Sequence, residues 1–257
     1  MKTSSTSLKG GPKISVITVT RDCAGTVLDC VDSVCGQSYD NREHVVIDGA
    51  SRDGTLALLQ SRSDDLAVLL SEPDHGIYEA INKGLHSVTG DVIGLLNGDD
   101  FFADPYVLER VGAAFTDPSV GAVYGDLDYV WKNQVSRTVR HWKSRPFTPD
   151  LLSAGWMPPH PTLYVRRSWY ERIGDFDTRY SIAADYFSVL KLFQYPDLNP
   201  AYLPEVLVKM RTGGVSNRSV AAIVRKSRED LDAMRRAGVG GLRVLAWKNL
   251  TKVTQFF

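Results

Sequence analysis

Very little in this sequence offers covalent or metal stapling. Its three cysteines, Cys23, Cys30 and Cys35, are odd in number and form no CxxC pair. A disulfide framework and a zinc knuckle are therefore excluded, and a reducing compartment is expected. The three lie in a stretch of helical character and are read as small apolar side chains. No apolar run approaches the roughly 18 residues that a membrane span needs. The opening MKTSSTSLKGGPK has no apolar signal core, so residues 1–11 are expected to form a flexible leader. Net charge is missing too, with 30 lysines and arginines against 30 aspartates and glutamates. Without a basic excess the chain has no electrostatic footprint for nucleic acid. Disorder is excluded by the same numbers, since it needs low hydrophobicity and high net charge. No GxGxxG follows the first apolar strand, which removes a dinucleotide-binding dehydrogenase. The expected location is cytoplasmic, peripheral at most on the inner face of the cell membrane.

What is present is a globular composition. The 257 residues are 43% hydrophobic and 23% charged, long enough to bury a full core without staples. The first half alternates strand and helix signals. ISVITVT (14–20), EHVVID (43–48), AVLLSE (67–72) and VIGLL (92–96) are short apolar, mostly β-branched runs typical of buried parallel strands. Between them, Val27, Val31 and Val34 fall at helical spacing behind Thr26, a candidate cap with Asp29 three residues on. Ile77, Ile81 and Leu85 make a second helical stripe, and Asp104-Pro105 opens a further helix. Such repeats give an α/β protein, an open and mostly parallel central sheet with helices on both faces. The second half is less regular. GAVYGDLDYVW (121–131) and the polar stretch after it read as strands of a mixed region, followed by a proline-rich insert (147–161) and a helix over 183–193.

The acidic residues cluster where chemistry is expected. Asn97-Gly98-Asp99-Asp100 follows the fourth strand directly, and ligands of open α/β sheets bind beyond the carboxyl ends of the strands. Adjacent carboxylates repel unless a cation or hydrogen-bond donors neutralise them, and hard oxygen donors suit Mg²⁺ or Mn²⁺. A solvated loop with the second aspartate capping a helix is the competing account. Asp48 closes the second strand and Asp22 follows the first, both placed to accept hydrogen bonds from a base or ribose. Asp53-Gly54 reads as a helix cap or turn.

These blocks resemble the family-2 glycosyltransferases, which have the GT-A fold. ISVITVTRD, VIDGASRDGT, DHGIYEAINKG and GDVIGLLNGDD stand in the family's order and at its spacing, and the resemblance spans residues 12–215. It implies a hexosyltransferase-type enzyme that moves a sugar from a nucleotide-diphosphate donor to an acceptor hydroxyl. Inversion, and a context of surface polysaccharide or glycolipid synthesis with a saccharide or lipid-linked acceptor, are implied as well. Residues 12–130 would form the nucleotide-sugar half of a single GT-A domain and 131–215 the acceptor half, with a mixed sheet region and C-terminal helices. Thr20, Asp22, Asp48, Asp74, Lys83, Asn97, Gly98 and Arg211 would line the donor. Asp99, with Asp100 beside it, would hold the Mn²⁺ or Mg²⁺ cofactor. Asn97 stands where the family's DxD motif has its first aspartate, and Asp48-Gly49 keeps one carboxylate of a usual pair.

Inversion requires a base for the acceptor proton. Asp185, in SIAADY at the start of a helix, matches the family's position; helix-dipole placement of an aspartate is the plainer account. His160, held between prolines, and Trp156 are the acceptor-side candidates, against ordinary packing for both. Arg211-Thr212-Gly213-Gly214 resembles a loop that closes over the donor, with paired glycines as hinges; a plain turn stands beside that reading. Lys83 either meets diphosphate or is solvated on its helix. From Ser216 onward nine lysines and arginines face three acids, a basic tail over 216–257. It is suited either to an anionic membrane surface or to packing on the body. Two other classes remain: a nucleotidyltransferase, which needs a glycine-rich basic phosphate loop after the first strand, and a sugar-nucleotide-binding module without catalysis.

Overall fold

The computed structural model describes residues 10–213, 220–242, 244 and 245. Its first half is a four-stranded parallel sheet. β1 (Ile14–Thr20) is buried along its whole length and lies between β2 (Arg42–Asp48) and β4 (Val92–Asn97), with β3 (Val68–Ser71) outside β2. Burial on both faces explains the unbroken β-branched run: Ile17 and Val19 enter one hydrophobic cluster, Ile14 and Val16 the other. Each such side chain contributes about 2 kcal/mol when fully buried. The crossovers are α1 (Val27–Cys35), α2 (Thr55–Gln60) and α3 (Ile77–Ser87). Register sets the strand ends level, with Thr20 opposite Asp48, Asp48 opposite Ser71 and Val19 opposite Asn97.

The second half widens this sheet with mixed polarity. Its elements are β5 (Phe101–Phe102), α4 (Val107–Ala114), β6 (Val120–Trp131), β7 (Gln134–Trp142), α5 (Asp150–Ser153), β8 (Tyr164–Arg166), α6 (Arg167–Ile173), α7 (Ala184–Phe193), β9 (Asn199–Arg211) and α8 (Val220–Arg236). β8 pairs antiparallel with β4 and β6, β6 runs parallel to β9, and β5 closes the order β3-β2-β1-β4-β8-β6-β9-β5. β7 pairs with β6 as a hairpin.

Several local expectations shift. α3 does not bury Ile77, which is 45% exposed; Tyr78, Ala80, Ile81 and Gly84 form its inner face. α4 begins at Val107, because Asp104 accepts from the Tyr106 amide (2.8 Å) and holds Arg110, making 104–106 a turn. The Thr26 hydroxyl does not cap α1 and donates to the Cys23 and Gly98 carbonyls (3.4 and 3.2 Å). Cys30 is buried, while Cys23 and Cys35 are half-buried. α8 packs on the body through Ala233 and Met234. Most of the segment beyond it, with Leu250, Val253 and Phe257, lies outside the described residues. Among the described residues no helix is long and apolar enough to cross a membrane.

The amino-terminal edge of the sheet is sealed by one carboxylate. Glu43 accepts from Ser15 Oγ (2.6 Å), the Thr89 amide and hydroxyl (2.6 and 2.8 Å) and the Gly90 amide (3.1 Å), and pairs with Lys13 (2.5 Å). Burial alone would raise its carboxyl; these donors outweigh burial and bring it down to about 2.

Candidate active site

The opposite edge gathers the acidic motifs. Asp48 ends β2 fully buried, accepting from the Ser51 amide (3.1 Å), the Ser51 hydroxyl and Ser71 Oγ (2.6 Å). It thereby fixes the turn after β2, where Ala50 adopts φ 54°. Asp22, at φ 52°, takes the Arg52 amide on its carboxylate (2.8 Å) and donates its own amide to Ser51 Oγ (2.8 Å). Two non-glycine residues in the left-handed region, one after each central strand, mark this edge as strained backbone of the kind stored at functional sites. Asp53 caps α2 through the Thr55 amide (3.0 Å) and holds the Ala24 amide (2.9 Å), as its turn reading required. Asp74 lies against Gly49, so closely that a side chain at 49 would collide with its carboxylate, and Arg21 stands 4.0 Å away.

After β4, the two adjacent aspartates differ sharply. Asp100 is fully buried and accepts from Asn97 Nδ2 (3.0 Å) and the Arg211 amide (3.0 Å). Burial, with the Asp99 carboxylate next to it, pushes its carboxyl up to about 8. Asp99 is half-buried, and its carboxylate takes no hydrogen bond among the described residues. Gly98 lies over Thr20: a Cβ there would stand 2.5 Å from Thr20 Oγ1, a buried hydroxyl that has no partner among the described residues. Glycine at 98 is therefore what lets the Asp99 backbone follow β1 so closely.

Arg211 belongs to this motif in an unexpected way. It ends β9 rather than sitting in a loop, is 5% exposed, donates to the Asp99 carbonyl (2.6 Å), pairs with Asp29 of α1 and lies 4.8 Å over the Phe101 ring. It is a strut under Asp99–Asp100. The remainder of the glycine-containing segment expected to close over the donor, from 214, lies outside the described residues. Lys83 is likewise tied down, to the Pro73 carbonyl (3.0 Å), Glu72 (2.9 Å) and Glu79 (3.3 Å).

The acceptor-side candidates partly converge. Asp185, in the first turn of α7, accepts on Oδ1 from the Tyr186 amide (2.8 Å) and from the Tyr78 hydroxyl (3.1 Å), which also donates to the Ile182 carbonyl (2.5 Å). Its Oδ2 takes no hydrogen bond among the described residues. Tyr78 comes from α3, directly behind Asp74, so one phenol joins the donor edge to α7. Burial and the Asp185 charge raise Tyr78 far above its ordinary value, and it stays protonated. His160 meets the Phe176 ring edge-on (5.9 Å), and Phe176 stacks on Tyr78 (6.0 Å). Burial lowers the His160 imidazole and the Asp185 charge opposes it; the net shift keeps it neutral at neutral pH. Trp156 stands apart, packed with Tyr124, Phe147 and Phe193 in an aromatic cluster.

Three contributors escaped the sequence reading. Tyr78 lay inside a quoted motif without a polar pattern to single it out. Asp29 looked like a helix-start acid until Arg211 arrived from 182 residues away. Glu229 of α8 accepts from the amides of Ser181 (3.2 Å), Ile182 (2.8 Å) and Ala183 (3.0 Å) and from Ser181 Oγ (2.7 Å), clamping the turn that launches Asp185. No local signal distinguishes Glu229 from its acidic neighbours.

The family model described as Glycosyl transferase family 2 matches residues 15–182. The chain belongs to this family. An uncharacterised glycosyltransferase of Mycobacterium tuberculosis is 31% identical over 243 residues, 92% of this chain and 90% of that protein. A PGL/p-HBAD biosynthesis glycosyltransferase of Mycobacterium bovis is 29% identical over 215 residues, 81% of each chain. Among solved structures, the mannosyltransferase PcManGT from Pyrobaculum calidifontis, in complex with GDP-Man and Mn²⁺, superposes with a TM-score of 0.66 at 22% identity, covering 93% of this chain and 70% of that one. S. aureus TarS 1–349 in complex with UDP gives 0.64 at 16%, covering 92% and 70%. These two likenesses show the fold, the GT-A arrangement expected of the family. This family-2 enzyme is thus a glycosyltransferase, with its acidic strand ends where the fold places a ligand.

Proposed function

We propose that this glycosyltransferase moves a sugar, with inversion, from a nucleotide-diphosphate donor at the β1–β4 edge to an acceptor hydroxyl positioned by α7 and His160. The observation that carries the reading is a pair of carboxylates with oxygens that take no hydrogen bond among the described residues: Asp99 after β4, and Asp185 Oδ2 in the first turn of α7, whose Oδ1 is held by Tyr78 of α3. A divalent cation fits the chemistry of Asp99, a hard oxygen ligand beside the buried Asp100, although no group of three such ligands stands together among the described residues. Such ions keep open positions for diphosphate oxygens. When bound, Mn²⁺ or Mg²⁺ offsets charge on the departing nucleoside diphosphate. Asp99 would be its ligand, with Asp100 shaping the loop from below.

Asp185 takes the acceptor's proton as its oxygen attacks the anomeric carbon. Neutral His160 orients the acceptor by hydrogen bonding. Asp22, Asp48 and Asp74 shape the nucleotide pocket; Asp48 acts through the Ser51 turn as much as by contact. The name of the Mycobacterium bovis relative, a PGL/p-HBAD biosynthesis glycosyltransferase, supports the glycolipid context.

The test is direct. GDP, UDP, GDP-mannose and UDP-GlcNAc are screened for thermal stabilisation with and without Mn²⁺, and any hit is assayed for sugar transfer by proton NMR of the product anomer. Binding that is Mn²⁺-dependent in the wild type and lost in Asp99→Asn, with transfer lost in Asp185→Asn at unchanged donor affinity, supports the proposal. A product retaining the donor's anomeric configuration overturns inversion. Pyrophosphate release from a sugar phosphate and a nucleoside triphosphate, with formation of the nucleotide sugar, would favour the nucleotidyltransferase alternative.

A further inference from the structure

The β6–β7 hairpin concentrates charge that the rest of the molecule balances. Between Trp131 and Arg145 stand five lysines and arginines and no aspartate or glutamate, in a chain with 30 of each sign. Lys132, Arg137, Lys143 and Arg145 are exposed and form no ion pair among the described residues. Elsewhere cations are usually tied down, as Arg62, Arg110, Arg172 and Arg236 are.

The same hairpin exposes apolar surface. Trp131 is 47% exposed, Val135 37% and Val139 45%. The register breaks in β7, where residues 135–137 and Val139 have no partner position on β6, and this bulged stretch leaves Val135, Arg137 and Val139 exposed. Arg137 lies 5.6 Å over the Trp131 ring, bringing the tryptophan to it. His141 is held by Asp128 (2.7 Å) and Asp126 (3.6 Å) at the hairpin root.

We infer that this hairpin is a docking surface for an anionic phospholipid bilayer. Tryptophan and small β-branched side chains flanked by unpaired cations are the chemistry of an interfacial anchor: the rings enter the headgroup layer and the cations meet phosphates. A protein partner with an acidic patch would use the cations but leave the valines and tryptophan without a matching apolar requirement, and nucleic acid would use them still less. The inference is independent of the proposed reaction and of the C-terminal segment. It gives the acceptor half a fixed orientation toward a membrane.

The full chain is cosedimented with vesicles of phosphatidylglycerol and phosphatidylcholine in equal parts, with vesicles of phosphatidylcholine alone, and with polyuridylate at the same phosphate concentration. Wild type should bind the anionic vesicles alone. Removing a surface cation lowers binding to an anionic bilayer about fivefold, so the triple variant Lys132→Gln, Arg137→Gln, Lys143→Gln should lose about 100-fold in partitioning. Trp131→Ser should weaken binding without altering its salt dependence. All variants should keep the wild-type melting temperature, since none of these side chains is buried. Equal partitioning of wild type and triple variant, equal binding to neutral vesicles, or no vesicle binding at all overturns the inference. Retention by polyuridylate in place of vesicles overturns it in favour of nucleic acid.

Discussion

The two ends of the central sheet solve the same problem in opposite ways. At the amino-terminal edge, Glu43 is a buried carboxylate given more donors than it needs, and its carboxyl falls to about 2. At the carboxyl-terminal edge, Asp100 is buried more completely and has only two donors and a carboxylate neighbour, so burial first and then the Asp99 charge raise its carboxyl. Both edges are built from the ends of the same parallel strands. The difference lies in the depth of burial and in the balance of donors against charge. An edge with surplus donors is finished as structure, whereas an edge with surplus charge is the one that we propose a ligand completes.

The comparison predicts that function and stability separate by edge. The largest effect belongs to Asp185→Asn: transfer should fall by about 10³-fold, the range of a lost general base. Its melting temperature should stay near wild type, because Asp185 Oδ2 takes no hydrogen bond among the described residues. Single-turnover transfer and a melting curve on the same sample check both halves. Full activity in Asp185→Asn removes it from the chemistry.

Glu43→Gln should do the reverse, costing about 2 kcal/mol of folding stability at pH 7 with normal turnover below the melting transition. A depressed carboxyl contributes stability that is fully present above its ordinary value of 4.5 and is lost as pH falls through that window toward about 2. The gap between wild type and variant in urea unfolding should therefore shrink as pH is lowered from 5 to 3 on this scale. A gap that widens on acidification would falsify the assignment of Glu43 as a donor-saturated clamp.

The sequence revealed the edges unevenly, for physical reasons. Parallel strands buried on both faces are written as continuous apolar runs, so β1, β2 and β4 were legible to within a residue or two at their ends. Asp99, Asp100 and Asp48 were legible because strand-end position is itself local information. β9 was not singled out: its Pro200 and Pro204 and its alternation with polar residues conceal a thirteen-residue strand, and its partner β6 is nearly 80 positions away. Partnerships at long range were equally hidden. Arg211 had the composition of a hinge loop, yet Asp29 and the Asp99 carbonyl fix it as a strut. α8 read as part of a basic tail, but its three acids are all engaged: Glu229 and Asp232 bond the 180–183 turn, and Asp230 pairs with Lys226.

Glu229 blurs the division, being a saturated clamp that serves the reactive side. Its carboxyl lies below the ordinary range: burial opposes this, and the Ser181, Ile182 and Ala183 donors outweigh it. Glu229→Ala should lower kcat about tenfold through a loosened Asp185 while leaving nucleotide affinity unchanged, a loss near 1.4 kcal/mol in transition-state binding. Glu229→Gln, which keeps an acceptor for the Ile182 and Ala183 amides, should recover much of it. A fall in donor affinity instead of kcat would place α8 with the nucleotide half.

Lys83 makes the smallest and most discriminating case. By position it belongs to the reactive edge, one helix behind Asp74. By bonding it resembles the sealed edge, its ammonium shared among Glu72, Glu79 and the Pro73 carbonyl, with the Glu72 bond foremost in raising its pKa. Two carboxylates already hold the charge that a diphosphate would need, and exposed pairs of this kind are worth little. Lys83→Ala should therefore change donor affinity by less than about twofold, a few tenths of a kcal/mol. Titration of the nucleotide donor against both proteins at low and moderate salt measures it. A tenfold loss that shrinks as salt is raised would mean that Lys83 leaves its acids for the ligand, and that its bonds to Glu72 and Glu79 do not separate the two edges.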